Sequence, residues 1–387
     1  MNTEDRYARH RLIDWWDQDR LRESIVMVAG AGAIGNEVIK LLALLGVGHI
    51  VIVDFDTVEV SNLTRSVLFR EGDIGLPKAA VAAERAREIN PDVAVTALQG
   101  DLEYEVGLGV YRSMDVVIGC LDSLQARLAL NRACFRAGVP WLNGGIEDTI
   151  AEVSLFQAGR GACFECGMSP SMWTRRNQRF SCGGLRSTVE ERKMPTTAVV
   201  ASLVAGFLIN EALFILHALS PDEKEGLAFS QKLSLILKPY QFGVYDVPAN
   251  GACLAHDRWD NIEVLPGSPR DITAAQLLAH TGMREGVLEI GYDLLTEMVC
   301  VACGARESVL LPVETCGEQR TLCPYCLTES RQPETISWID RDSPYAEMPL
   351  AALGIPDYQV LAIKESEKRR FLQLSGEYRV AKNGKEG

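Results

Sequence analysis

Nine residues between Gly30 and Asp122 have the types and order needed to hold a nucleotide by its phosphates. Gly30, Gly32 and Gly35 form a G-x-G-x-x-G turn after the apolar run 25–28. Glycines there keep the turn tight, let backbone approach phosphate and let the next helix pack closely. Asp54 ends a second apolar run, where an acceptor for a ribose hydroxyl belongs. A site built for hydride transfer needs nothing polar beyond that acid. Here Asp56, Asn62 and Arg65 follow within a dozen residues, and Lys78 comes after the turn Gly75-Leu76-Pro77. Two cations near the phosphates point to phosphate chemistry. Asp122 follows the apolar run 116–120, at the carboxyl edge where parallel sheets bind ligands. Opposite a triphosphate, a carboxylate there is a natural Mg2+ ligand. Arg127, further along, is expected to brace the loop. On the glycines alone, an NAD-dependent oxidoreductase is the rival reading.

Cysteines form the second set. The chain has 11, and six of them make three C-x-x-C pairs: Cys163/Cys166, Cys300/Cys303 and Cys323/Cys326. An odd count in a large chain with a polar N-terminus argues for metal binding in a reducing compartment, so a cytoplasmic location is expected. The two late pairs have zinc-ribbon spacing, and four protein ligands leave no open position, so a Zn2+ there is structural. Pairing of Cys163/Cys166 with one of the late pairs is the other arrangement the ligands allow. Cys120, Cys134 and Cys316 are expected to be buried or incidental.

These residues need elements to position them. Strand patterns at 25–28, 50–53, 93–98, 116–120 and 141–143 alternate with helical patterns at 35–45, 78–89 and 124–137. The alternation predicts an α/β fold: a Rossmann-like, doubly wound, mostly parallel sheet covered on both faces. Further strands are expected at 152–156 and within 233–247. A Pro-Gly-Ser-Pro linker at 266–269 marks a boundary. We read an N-terminal arm (1–22), a catalytic domain (23–256) and a smaller extension (257–387) holding the ribbon at about 298–330. The Arg-rich stretch 173–193 is expected to be a mobile or crossover loop. The stretch 198–216 is apolar enough to cross a membrane, but Asn210 and Glu211 interrupt it, so a buried core helix is expected. With 39 basic against 52 acidic residues, the chain lacks the basic surface that nucleic-acid binding needs.

The sequence resembles the MoeB/ThiF and ubiquitin-activating superfamily. The resemblance rests on Arg6-Tyr-Ala-Arg9-His10, Gly30-Ala-Gly-Ala-Ile-Gly35, Asp54-Phe-Asp56 through Asn62-Leu-Thr-Arg65, Gly75-Leu-Pro-Lys78, Ile89-Asn-Pro91, Cys120-Leu-Asp122-Ser and Met194-Pro-Thr-Thr-Ala. It spans roughly residues 5–250. It implies ATP- and Mg2+-dependent adenylation of the C-terminal glycine carboxylate of a ubiquitin-like or sulfur-carrier protein. It also implies a homodimer in which Arg9 reaches the other protomer's nucleotide. Cys182 lies where the family commonly places its thiol, between Arg179 and Arg186; thioester formation and transfer to a conjugating enzyme are then expected. The longer stretch that follows it, 185–193, departs from the family. A family zinc commonly joins two C-x-x-C pairs; here Cys163/Cys166 would pair with Cys253-Leu-Ala-His256. The extension has no evident task in adenylation and is expected to recruit the modifier or the conjugating enzyme.

Overall fold

Strand β1 (Ile25–Ala29) divides its side chains between two cores. Val26 and Val28 face one, Met27 and Ala29 the other, and all four are fully buried. A strand covered on both faces needs apolar residues at successive positions, which explains the unbroken run. The computed structural model describes residues 5–147, 150–169, 172, 196–219, 226–283 and 285–379. β1 lies among four more parallel strands: β2 (His49–Val53), β3 (Ala94–Leu98), β4 (Val116–Gly119) and β5 (Trp141–Glu147). Antiparallel β6 (Ile150–Phe156), β7 (Gln231–Leu237) and β8 (Tyr240–Asp246) complete the order β3-β2-β1-β4-β5-β6-β7-β8. The sheet is therefore mostly parallel, as predicted, with an antiparallel flank.

After a short α1 (Gln18–Glu23), α2 (Ala33–Leu45), α3 (Lys78–Ile89) and α6 (Ala198–Leu216) share one core with the sheet. Helices α4 (Leu108–Arg112) and α5 (Leu124–Ala137) pack on the other face. By length and composition α6 can cross a membrane. In the fold it packs on α2 and β5 through Val204, Ala205 and Leu208. Its buried Glu211 accepts from the Leu227 amide at 2.8 Å. This is the core helix the sequence predicts.

A second sheet holds β9 (Glu263–Val264), β10 (Val287–Cys300), β11 (Arg306–Pro312), β12 (Arg331–Ile339), β13 (Val360–Glu365) and β14 (Lys368–Gln373). With α7 (Ala274–Thr281) it buries its own core around Leu278, Leu288, Leu294 and Ile363. It is not merely tethered to the first sheet. Val360 and Ala362 of β13 share a core with Tyr111 of α4 and Phe135 of α5. Gly109 N–H donates to Tyr358 O at 2.9 Å. A Cβ on Gly107 would lie 2.2 Å from Asp357 O. The two glycines at the start of α4 thus let another backbone lie against the helix, a close approach that only glycine permits.

Candidate active site and metal centres

The turn after β1 fixes the cradle. Gly30 has φ +92°, and its N–H donates to Val53 O at 2.8 Å, tying the turn to the end of β2. A Cβ on Gly35 would lie 1.9 Å from Gly30 O, whereas one on Gly32 would meet nothing within 4 Å. The two glycines therefore serve different ends: Gly35 for packing, Gly32 for open space at the N-terminus of α2. An anion belongs in that space, beside unpaired amides and the positive end of the helix dipole. Gly35→Ala should cost about 1–3 kcal/mol of stability through backbone overpacking. Gly32→Ala should leave the melting temperature unchanged but weaken ATP binding about tenfold or more, the scale of one lost phosphate hydrogen bond. Thermal melting and calorimetric titration with ATP check the pair.

Asp54 stands at the end of β2. Its Oδ2 accepts from the Ala31 amide at 2.6 Å and its Oδ1 from the Asp56 amide at 2.8 Å. Burial pushes its carboxyl upward, against the pull of the amides and of Lys78. Lys78 opens α3, largely buried, with Nζ 2.7 Å from Asp56 Oδ2. Asn62 Oδ1 accepts from the Glu59 amide at 2.9 Å, closing the short turn that carries Arg65. The Arg65 guanidinium donates to Ser61 O, and among the described residues no ion pair engages it. Arg127 does brace the loop after β4: its guanidinium donates to Leu121 O at 2.6 Å and to Asn143 Oδ1 at 3.1 Å.

Gly30, Gly32, Asp54, Asp56, Asn62, Arg65, Lys78 and Asp122 all line one cavity of about 680 Å³. Eight of the nine predicted residues are thus brought together, and Gly35 supports them from beneath. The buried Thr196 Oγ1, also in the wall, has no hydrogen-bond partner among the described residues. An open phosphate cradle, a ribose acceptor, two cations and an unmet hydroxyl fit a Mg2+-bound nucleoside triphosphate. Arg9 is exposed and does not line the cavity of its own chain. Cys182 lies outside the described residues. Cys120, Cys134 and Cys316 are buried, as expected; burial drives the Cys120 thiol far upward, which disqualifies it as a nucleophile.

Sequence reasoning missed the far wall of the cavity. Glu103, Tyr104 and Gln125 contribute to it, and so do Glu314 and Thr315 of the extension. Residues of the extension thus line the same cavity as the predicted nucleotide residues. Gln125 Nε2 donates to Glu103 at 3.1 and 3.3 Å. Burial, with Glu314 and Asp101 nearby, pushes the Glu103 carboxyl up to about 7. A raised folded-state pKa means the native protein holds the extra proton between about 4.5 and about 7, so stability falls as pH rises through that window. Glu103→Gln cannot ionise. Its melting temperature relative to the parent should therefore rise from pH 5 to pH 8; a constant offset would refute the titration.

Two cysteine clusters lie outside the cavity. The ligand atoms of Cys163, Cys166, Cys253 and His256 all lie within 4.8 Å of one another, as do those of Cys300, Cys303, Cys323 and Cys326. This is the pairing the motifs imply, C-x-x-C with C-x-x-H and ribbon pair with ribbon pair. Both sets suit tetrahedral Zn2+. The first is anchored from outside: Asn131 Oδ1 accepts from Phe164 N–H at 3.1 Å, Arg132 grips Glu165 at 2.8 and 3.0 Å, and Phe135 stacks on His256. Such outer partners hold ligands in place before metal arrives. Burial pushes the Cys163 thiol up to about 12, so metal loading there must expel a proton.

The ThiF family model matches residues 5–238. SUMO-activating enzyme subunit 2 of Dictyostelium discoideum is 38% identical over 149 residues, 38% of this chain and 22% of that protein. The SAMP-activating enzyme E1 of Haloferax volcanii is 38% identical over 165 residues, 42% of this chain and 61% of that protein. The sulfur carrier protein adenylyltransferase of Thermus thermophilus is 36% identical over 170 residues, 42% and 63% respectively. In each case the match spans less than two thirds of the relative. The crystal structure of E. coli MccB with ATP shares the fold at a TM-score of 0.53 and 24% identity, covering 66% of this chain and 75% of that one.

Proposed function

The chain belongs to the ThiF family, and on that premise we propose that it adenylates the C-terminal glycine of a small protein of ubiquitin-like or sulfur-carrier type. The carrying observation is the set Asp54, Asn62, Arg65, Lys78 and Asp122 around one cavity. Hydride transfer uses an acid like Asp54 but has no use for the other four. The relatives named as SUMO-activating, SAMP-activating and sulfur-carrier adenylating enzymes support the reading.

A C-terminal carboxylate is ionised at pH 7, so attack needs no general base. Its oxygen attacks the α-phosphorus of ATP; the bond to the bridging oxygen of the β-phosphate breaks and pyrophosphate leaves. Asp54 orients the ribose, Gly32 lets the phosphates approach, and Arg65 and Lys78 balance charge that builds on the phosphoryl oxygens. Asp122 would hold Mg2+, which supplies further neutralisation of the phosphates. Arg9 acts in this scheme across a homodimer, on the partner's nucleotide. The Cys182 thiol then attacks the acyl carbon; AMP leaves, the thiol proton passes to water, and a thioester remains for transfer to a conjugating enzyme. Both cysteine clusters would hold Zn2+ in structural roles. The reaction is cytoplasmic in this reading.

Pyrophosphate exchange tests the first step. The full-length protein, ATP and labelled pyrophosphate are mixed with β-grasp proteins ending in glycine and with the same proteins lacking that glycine. Exchange confined to the intact proteins is expected; exchange indifferent to the glycine, or absent with every candidate, defeats the proposal. A reductant-sensitive adduct that survives in Cys182→Ala removes the thiol from the scheme.

A further inference from the structure

The far wall of the nucleotide cavity belongs in part to the extension, outside the stretch matched by the family. Glu314 sits in the short turn Val313–Thr315 between β11 and the second ribbon pair, Cys323/Cys326. Val313 anchors that turn in a small core with Leu295, Met298 and Cys316. Tyr104 Oη donates to Glu314 Oε2 at 2.9 Å, and Gln125 Nε2 reaches the same oxygen at 3.3 Å while also holding Glu103. The Tyr104 ring meets Tyr292 of β10 edge-on at 5.5 Å. Two elements of the catalytic domain and one of the extension therefore converge on a pair of carboxylates in the cavity wall.

The orientation of the nucleotide decides what meets them. The ribose acceptor is Asp54, and the phosphate groups are Gly32, Arg65 and Lys78. The base then points away from the cations. The polar wall left for it is Glu103, Tyr104, Gln125 and Glu314. An ionised carboxylate only accepts hydrogen bonds. A 6-aminopurine offers it N–H donors; a 6-oxopurine turns a carbonyl oxygen toward it, and two acceptors repel. We propose that Glu314, positioned by Tyr104 and Gln125, is a specificity-determining residue by which the extension selects the 6-amino group of the purine. This rests on the ATP reading of the cavity. The extension is then a wall of the adenylation site.

Calorimetric binding of ATP and inosine triphosphate, each with Mg2+, to the full-length protein tests it. The parent should prefer ATP by about tenfold or more, and Glu314→Gln should shrink that ratio about tenfold, the value of one hydrogen bond gained or lost. The Gln amide can donate to a 6-oxo group, so affinity for inosine triphosphate should rise in that variant, which mere loosening cannot produce. Glu314→Ala should shrink the ratio without that gain. Gln is isosteric with Glu, and unchanged melting shows that the turn is intact. Tight ATP binding by the parent, with the ATP-to-inosine-triphosphate ratio of both variants staying within about twofold of the parent's, overturns the role of Glu314 alone. A parent that binds neither nucleotide overturns the ATP reading and this assignment together.

Discussion

Arg65→Ala should slow adenylate formation by about 10²–10³-fold while changing ATP affinity only a few-fold, the signature of a charge that acts mainly in the transition state. The structure favours this split. Arg65 stands on the turn 59–65, held by the bond between Asn62 and Glu59 and by its own bond to Ser61, and among the described residues no carboxylate pairs with its positive charge. Lys78 is placed differently. It is committed to Asp56 at 2.7 Å and its field opposes the burial that pushes Asp54 upward. Lys78→Ala should therefore weaken ATP binding as well as turnover. The loss should deepen toward acidic pH, where Asp54, without its neighbouring cation, takes up a proton. Single-turnover adenylation and equilibrium ATP binding separate the two residues. Equal loss of affinity and rate in Arg65→Ala would reassign it to ground-state binding.

The strands of the first sheet and its nucleotide turn were legible because their signals are local. The runs 25–29, 50–53 and 116–118 are uninterrupted and apolar, and Gly30, Asp54 and Asp122 come at or just after their ends, so for these residues sequence distance and spatial distance agree. The cysteine clusters were legible for another reason: metal ligands must come in sets of fixed type and spacing, and only a few pairings satisfy the count. Glu314 was not legible. It lies 192 positions beyond Asp122, in a chain where only the tertiary fold brings β11 to the cavity. A faint trace existed. Gly109 sits inside α4, where helix propensity disfavours glycine, next to Gly107 at its N-cap, and such a cost is repaid when another backbone needs the space. The segment they admit is 357–359 of the extension. That pair pointed to a docked extension, though not to the residue it delivers. Cys182 illustrates the opposite case: its reading rests on the resemblance, and it lies outside the described residues.

Removing a ligand from the first cysteine cluster should do more damage than any substitution in the nucleotide cavity. Cys163→Ser is expected to lower the melting temperature by about 10 °C or more and to reduce bound zinc from two equivalents to one. Apparent zinc affinities of about 10–16 kcal/mol rival the whole stability of a domain, about 5–15 kcal/mol. Position matters as much as affinity. Cys163 is fully buried beside Trp141 and Phe156, and its cluster joins the end of β6 to a segment 90 residues further on. Without metal, that core must accommodate thiols, an imidazole and the ion pair Arg132–Glu165 with nothing at their centre. The ribbon cluster has a different setting. Cys303 is exposed, and the ribbon lies at the ends of β10 and β12, away from the large cores. Cys326→Ser should leave the first sheet folded and also release one zinc. It should disturb the cavity only through the turn that carries Glu314, as a weaker grip on ATP with thermal stability nearly kept. Metal content by mass spectrometry, melting curves and ATP titration on both variants check the contrast. Two variants that lose one zinc each with the same melting loss would show that the clusters share one structural role. A Cys326→Ser protein with unchanged ATP affinity would place the ribbon outside the control of the nucleotide site.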